Sequence, residues 1–108
     1  MKLYIGGAYQ GQEALAVQEN PGAEIIFAFH EEVRRAIASG EDPRSFAARI
    51  CSQKPDAVIV ANEVGAGIVP IDAGERAFRE AAGRALCVIA QSSDTVVRVV
   101  CGIGVCIK

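Results

Sequence analysis

The residues with the clearest capacity for chemistry form a glycine-rich segment, 6–13, near the amino terminus. Its two glycines separated by four residues are typical of a phosphate-binding loop, in which backbone N–H groups and a helix N-terminus hold an anion. The pattern fits two interpretations: an anion site, or a tight strand-to-helix turn without a ligand. The candidate nucleotide-binding residues here are Gly6, Gly7, Ala8, Tyr9, Gln10, Gly11, Gln12 and Glu13.

Two side chains change what this loop can do. Gln12 stands where a phosphate-binding loop has lysine, and Glu13 stands where it has a hydroxyl residue. Gln12 can donate a hydrogen bond but brings no positive charge to the phosphates. Glu13 repels a triphosphate unless a cation lies between them. The backbone and the helix N-terminus remain able to bind an anion.

A second glycine-rich segment, 62–70, follows five uninterrupted apolar residues that are typical of a buried parallel strand. Glu63 stands at the end of that strand, where a carboxylate is costly unless it meets a ligand, a metal or a hydrogen-bond donor. It is the best single candidate for a catalytic residue, as the group that orients a nucleophile. The alternative is that Glu63 only holds its own loop by accepting hydrogen bonds from the N–H groups of Gly65 and Gly67.

His30 is the single histidine of the chain. A neutral imidazole can attack phosphorus, but a lone histidine that opens an acidic helix is more often a surface or capping residue. Glu31 and Glu32 are expected to raise its pKa, which favours the imidazolium form and lowers its nucleophilicity. We therefore assign no catalytic role to His30.

Arg76, Arg79 and Arg84 lie on one long predicted helix and can clamp phosphate by paired hydrogen bonds. For Arg76 the preferred interpretation is surface pairing with Glu75 and Glu80.

The cysteines stand at irregular spacings in apolar surroundings and form no C-x-x-C pair. We expect buried, reduced thiols and no metal site. The alternative is a disulfide or a thiolate metal site that joins Cys101 and Cys106 across a tight turn, as in a redox or metal protein. The four residues are Cys51, Cys87, Cys101 and Cys106.

Composition limits the fold and the partners. The chain has 108 residues, of which 51% are hydrophobic and 22% charged, and its formal net charge is −2. These values predict one compact domain over residues 1–108. The balanced charge disfavours nucleic acid and anionic membranes as partners. No apolar run is long enough to cross a bilayer and no signal peptide is evident, so we expect a cytoplasmic protein.

Strands alternate with helices, which predicts an α/β fold with a small, mainly parallel sheet of four or five strands and helices on both faces. Both glycine-rich segments follow strands, so they should open on the same carboxyl edge of the sheet, where such folds bind ligands. So small a sheet is expected to bury an edge, within 99–107, in a homo-oligomer. The predicted strands are 2–5, 25–29, 57–61, 95–101 and 105–107, and the predicted helices are 12–18, 31–38, 43–51 and 72–90.

Several stretches resemble the bifunctional adenosylcobinamide kinase / adenosylcobinamide-phosphate guanylyltransferase family of cobalamin biosynthesis. Segment 62–70 is similar to the family's N-E-V-G-x-G-I-V-P, and segment 75–84 to its R-x-F-R-D-x-x-G-R. Segment 102–108 is similar to its G-I-G-V-x-I-K end, and segment 6–11 looks like its G-G-A-R-S-G-K-S loop.

The resemblance implies a P-loop-like fold, binding of GTP or ATP with Mg²⁺ and of a corrinoid, and transferase chemistry. It also implies nucleotide contacts from Asn62 and Gly65 and substrate contacts from Arg79 and Arg84. The chain departs from the family at the loop lysine, has no carboxylate on its second predicted strand, and is shorter than full-length members. Two functions therefore stand: a nucleotide-binding protein with weakened transfer activity, or a non-catalytic anion- or corrinoid-binding scaffold.

Overall fold

A computed structural model describes residues 1–63 and 72–108, in which five strands and four helices follow the predicted order. The fold class is the predicted α/β arrangement. The strands are β1 (Lys2–Gly6), β2 (Ile25–Ile26), β3 (Val58–Asn62), β4 (Thr95–Val100) and β5 (Ile103–Cys106). The helices are α1 (Gln12–Glu19), α2 (Phe29–Ala38), α3 (Pro43–Gln53) and α4 (Ala73–Ser92).

The sheet has the strand order β2-β3-β1-β4-β5. The central strand β1 pairs in parallel with both neighbours, so that Lys2 lies opposite Val58 on one side and Thr95 on the other. β2 pairs in parallel with β3, whereas β5 returns antiparallel to β4. The prediction that the strand before Glu63 lies beside β1 is confirmed, and the carboxyl ends of these two strands share one edge.

Successive side chains of the sheet alternate between two cores, as the pleat of a strand requires. On one face, Leu3, Ile59 and Val96 join a core built with α2, α3 and α4. On the other face, α1 places Ala16 in a smaller core with Tyr4, Val58, Val60, Val97 and Val99. Helices therefore cover both faces, as predicted, but unequally.

The helix starts follow local signals. Asp42 accepts a hydrogen bond from the N–H of Ser45 at 2.9 Å, and Pro43 occupies the first position of α3. Asp72 caps α4 in the same way through the N–H of Glu75 at 3.0 Å. Among the helices of residues 1–63 and 72–108, none has both the length and the apolar character that a membrane span needs.

The second strand is shorter than predicted. The expectation of a strand over residues 25–29 is wrong, because Ala28 adopts a left-handed conformation with φ of 50° and α2 begins at Phe29. β2 is left with only two residues, Ile25 and Ile26.

The cysteines are free, but the expectation that they are buried is wrong for most of them. Cys87, Cys101 and Cys106 are exposed, and Cys51 is half-buried. The alternative pairing of Cys101 with Cys106 is not formed, since Cys106 lies opposite Val97 in the β4–β5 register while Cys101 lies in the turn.

Candidate functional site

The loop 7–11 joins β1 to α1 at the carboxyl edge of the sheet. Gly6 is required by close packing, because a Cβ there would lie 2.6 Å from the carbonyl oxygen of Val99. Gly11 precedes α1 with φ of 90°, a left-handed conformation that favours glycine. Both glycines therefore have structural reasons that are independent of any ligand.

Gln12 fixes the loop from inside and is only 4% exposed. Its Nε2 lies 3.2 Å from the oxygen of Gly6, 3.1 Å from that of Gly7 and 2.9 Å from Oδ1 of Asn62. The carbonyl oxygen of Ala61 lies 3.4 Å away. A side-chain amide has only two N–H groups for these oxygens, whereas an ammonium group has three. The surroundings of Nε2 would therefore also suit the lysine that the loop lacks.

The loop is also attached to the β4–β5 turn. Cys101 and Gly102 form this turn with φ values of 52° and 76°, the positive values that a two-residue hairpin turn of type I′ requires. The N–H of Cys101 donates to the side-chain Oε1 of Gln10 at 2.7 Å. The N–H of Gly102 donates to the backbone carbonyl oxygen of Gln10, also at 2.7 Å. Gln10 thus holds the loop and the turn together.

Several N–H groups of this loop have no backbone acceptor among the residues that the structure describes. In residues 1–63 and 72–108, no backbone hydrogen bond is donated by residues 8–14, and the first N–H groups of a helix have no partner within it. These donors can receive an anion. A cleft of about 540 Å³ lies beside them, lined by Ala8, Tyr9, Gly11, Gln12, Glu13, Ala14 and Asn62.

Asn62 and the backbone of Glu63 lie next to the loop, whereas the Glu63 side chain lines a separate groove beside α4 and does not line the cleft. The N–H of Glu63 donates to the oxygen of Gly6 at 2.7 Å, which continues the β1–β3 pairing beyond the end of β3. The Glu63 carboxylate faces β4, with Oε2 3.8 Å from Nε of Arg98. This contact is loose and partly exposed, so the carboxylate stays accessible.

His30 also belongs to the site, which corrects the interpretation of it as a surface or capping residue. Its side chain is 12% exposed, and Nδ1 accepts a hydrogen bond from the N–H of Asn62 at 3.1 Å. Burial lowers the pKa of His30 and Arg34 lowers it further, whereas Glu31 and Glu13 oppose these effects. The expected rise in its pKa was wrong because desolvation outweighs the neighbouring acids.

The described side chains give the cleft no positive charge. Glu13 lines it, and no lysine or arginine of residues 1–63 or 72–108 does so. On neighbouring α2, Arg34 pairs with Glu75 at 3.0 Å and with Glu31 at 3.5 Å. A triphosphate in the cleft would meet backbone donors without a cation from the described part of the chain.

The described residues offer few ligands for a metal ion. Across residues 1–63 and 72–108, no three His, Cys, Asp or Glu side chains converge where they could hold a metal ion. β2 consists of two isoleucines and brings no carboxylate to the edge.

The two predicted substrate contacts both lie on α4. Arg84 pairs with Glu80 and lines a separate groove of about 340 Å³ between α3 and α4. Arg79 lies half-buried on α4. The nucleotide contact of Gly65, and the alternative in which Gly65 and Gly67 donate to Glu63, fall outside the described residues.

Two site residues were missed by the sequence analysis. His30 follows β2, and its place after a strand at the carboxyl edge is the signal that could have found it. Arg98 is the single charged residue of the β-branched run in β4, a position that indicates a specific partner.

Comparison with known proteins gives a family match. A family model described as cobinamide kinase / cobinamide phosphate guanyltransferase matches residues 21–107. The match covers well over half of the chain, from β2 to β5, and begins after the glycine-rich loop.

A curated relative matches part of the chain. Over 51 residues the chain is 53% identical to the bifunctional adenosylcobalamin biosynthesis protein CobU of Salmonella typhimurium strain LT2. The matched stretch is 47% of this chain and 28% of that relative, so it spans far less than two thirds of the relative's length.

Proposed function

Because the chain belongs to the cobinamide kinase / cobinamide phosphate guanyltransferase family, we propose that it is a nucleotide-binding protein of cobalamin biosynthesis whose glycine-rich loop holds phosphate groups. The observation that carries this proposal is that, within residues 1–63 and 72–108, the N–H groups at the start of α1 and in the loop before it lack backbone acceptors beside a cleft of about 540 Å³. Successive N–H groups and the positive end of α1 favour an anion there.

We expect the rate of phosphoryl transfer by this loop to be low. Gln12 is neutral and its amide is already bonded to the loop and to Asn62. A charged group that stabilises the transition state contributes roughly 3 kcal/mol, and its loss lowers a rate by a factor on the order of hundreds. The chain would thus bind the nucleotide with little turnover unless another molecule supplies the cation.

The Glu63 carboxylate is the group proposed to orient an acceptor hydroxyl. It lies at the same edge as the loop, and its contact with Arg98 is long at 3.8 Å. A corrinoid is the acceptor class that the family name implies, and Arg79 and Arg84 remain proposed contacts to it. The expected location of this activity is the cytoplasm.

Calorimetric titration with GTP, ATP and cobinamide, each with and without Mg²⁺, tests the proposal. We expect nucleotide binding that is tighter with Mg²⁺, because the cation screens Glu13 from the phosphates. A parallel assay for phosphorylated cobinamide should give little product. If neither GTP nor ATP binds, the proposal is wrong.

A non-catalytic scaffold that binds an anion or a corrinoid is the second candidate. The engagement of the Gln12 amide favours it, since this amide is then less free for chemistry. Binding of cobinamide without any nucleotide binding would select this function.

A further inference from the structure

His30 takes the place of a strand partner at the end of β3. Successive N–H groups of a strand point to opposite sides. The N–H of Glu63 points to β1, where it donates to Gly6 at 2.7 Å, so the N–H of Asn62 points towards β2. Because β2 ends at Ile26, it is too short to accept this N–H. Nδ1 of His30 accepts it instead, at 3.1 Å.

The start of α2 holds the imidazole of His30 in this position. Ala28 turns the chain from β2 into α2 with φ of 50°, a conformation that is costly for a residue with a Cβ and that is found most often at functional sites. The next residue, Phe29, is fully buried and stacks on Phe46 with ring centroids 5.6 Å apart. The place of the imidazole is therefore set by the core on which α2 is anchored.

Asn62 connects His30 to the glycine-rich loop. Its Oδ1 accepts a hydrogen bond from Nε2 of Gln12 at 2.9 Å. The same Nε2 lies 3.2 Å from the carbonyl oxygen of Gly6 and 3.1 Å from that of Gly7. Asn62 and Gln12 line the cleft, but His30 does not. The imidazole can therefore influence the cleft only indirectly, through Asn62.

Only the neutral imidazole can accept the N–H of Asn62. When Nδ1 is the acceptor, the proton of the ring is on Nε2, whereas both nitrogens of an imidazolium are donors. Protonation of His30 would therefore place two donors against each other. Nε2 lies 3.7 Å from Oε1 of Glu31, so the charged ring would gain by moving towards that carboxylate. The hydrogen bond that holds Asn62 is then lost.

Charged groups from two helices act on the ring of His30. Glu31 and Arg34 of α2 have opposite effects on its pKa, and Glu13 of α1 acts in the same direction as Glu31. The contact from β3, through Asn62, is uncharged. Burial has the largest effect and lowers the pKa of His30 below its ordinary value of 6.5. The ring is therefore mainly neutral at pH 7 and able to accept the hydrogen bond.

We propose that His30 is a positioning residue for the cleft: its neutral ring holds Asn62, and through it the glycine-rich loop, in the shape that binds phosphate groups, and its protonation weakens that binding. This inference rests on the proposed function, since the bound group is the nucleotide phosphate. Direct charge attraction would act in the opposite direction, because a positive charge near the cleft favours an anion. The sign of the pH dependence therefore separates positioning from charge attraction.

Calorimetric titration with GTP and Mg²⁺ at pH 8.0 and pH 5.5 tests the proposal in the unaltered chain, His30→Leu and His30→Asn. His30→Leu removes the acceptor and should weaken binding at pH 8.0 by roughly threefold to tenfold, the effect of losing one hydrogen bond. His30→Asn offers an oxygen that does not titrate, so it should bind more tightly than His30→Leu.

The titration of the nucleotide itself is common to all three proteins, so the comparison between them isolates His30. The affinity of the unaltered chain should fall between pH 8.0 and pH 5.5 by a larger factor than that of His30→Asn. The same factor in both proteins would overturn the proposal, and so would a gain in affinity of the unaltered chain relative to His30→Asn at pH 5.5. Circular dichroism shows whether each variant folds.

Nuclear magnetic resonance of the unaltered chain without nucleotide gives a second test, which does not depend on binding or on a variant. The backbone N–H signal of Asn62 and the side-chain amide signals of Gln12 should shift with pH, with the same midpoint as the ring C–H signals of His30. Constant Gln12 signals while His30 titrates would overturn the positioning role. If the signals titrate together but neither GTP nor ATP binds at pH 8.0, the positioning of the loop is supported and the proposed function is wrong.

Discussion

Oδ1 of Asn62 lies 2.9 Å from Nε2 of Gln12, so the end of β3 and the glycine-rich loop are joined by side chains fifty positions apart in the sequence. On its other side, Asn62 donates its N–H to His30. The shape of the loop therefore depends on α2 and β3 as well as on its own glycines.

Gln12→Lys should strengthen triphosphate binding by about tenfold or more, since a hydrogen bond to a charged group contributes roughly 1.5–3 kcal/mol. The oxygens around Nε2 can accept an ammonium group, so the fold should tolerate the change. Calorimetry with GTP and ATP measures the effect. Gln12→Met is the matched control, with similar length and no donor, and should bind no better than the unaltered chain. Equal affinities for lysine and glutamine would contradict our placement of the phosphates.

Gly6→Ala should destabilise the fold by about 1–3 kcal/mol, because overpacking forces backbone shifts and the new Cβ would lie 2.6 Å from the oxygen of Val99. Gly83→Ala is the control, since it lies within α4 with no atom near its Cβ position. It should stabilise the fold by up to about 1 kcal/mol through helix propensity. Urea unfolding monitored by circular dichroism gives both free energies, and a neutral Gly6→Ala would contradict the close packing.

Stability should decrease as the pH falls from 7.5 to 5.5. Burial lowers the pKa of His30 below its ordinary value of 6.5, so the unfolded chain binds more protons in this window and protonation favours unfolding. The contribution is complete above 6.5 and is lost as the pH falls towards the folded-state pKa. The pKa of Asp42 is also lowered, by its hydrogen bonds from Ser45, but that group loses its contribution only below about 4.

His30→Asn tests the origin of this pH dependence. Asparagine can accept the N–H of Asn62 but does not titrate in this range. Free energies of unfolding in urea at pH 7.5 and pH 5.5 should differ less in the variant than in the unaltered chain. If both proteins show the same pH dependence, His30 is not its source.

Tyr9→Ala should weaken nucleotide binding by up to about tenfold, the range expected for one aromatic contact. Tyr9 is fully exposed beside the cleft and has φ of 61°, so its ring is available to a bound base. The free energy of unfolding should change by less than about 0.5 kcal/mol, as for other surface positions. Tyr9→Phe keeps the ring and should bind like the unaltered chain, and a loss in this variant as large as in Tyr9→Ala would exclude stacking.

The common edge at which β1 and β3 end could be predicted from the sequence. Apolar runs gave β1 and β3, and parallel strands bring their carboxyl ends to one edge. The helix caps Asp42 and Asp72 could also be predicted, because a cap is a local hydrogen bond to a residue three positions away. Local patterns of this kind do not depend on how the rest of the chain packs.

The parts that could not be predicted depend on packing between distant segments. The pKa of His30 follows from burial under β3 rather than from its acidic neighbours in the sequence. The exposure of Cys87 reflects the open groove beside β5. The replacement of the loop lysine by Gln12 likewise gave no sign in the sequence that the Gln12 amide would donate a hydrogen bond to Asn62.

Two hydrogen bonds from the hairpin turn to Gln10 connect the rim of the cleft to the β4–β5 hairpin, so the two should move together. A ligand that changes the conformation of residues 8–11 must either move the β4–β5 hairpin or break both hydrogen bonds. A ligand in the cleft and any molecule that binds the β4–β5 hairpin should therefore alter each other's affinity by the same factor, because thermodynamic coupling between two sites is reciprocal.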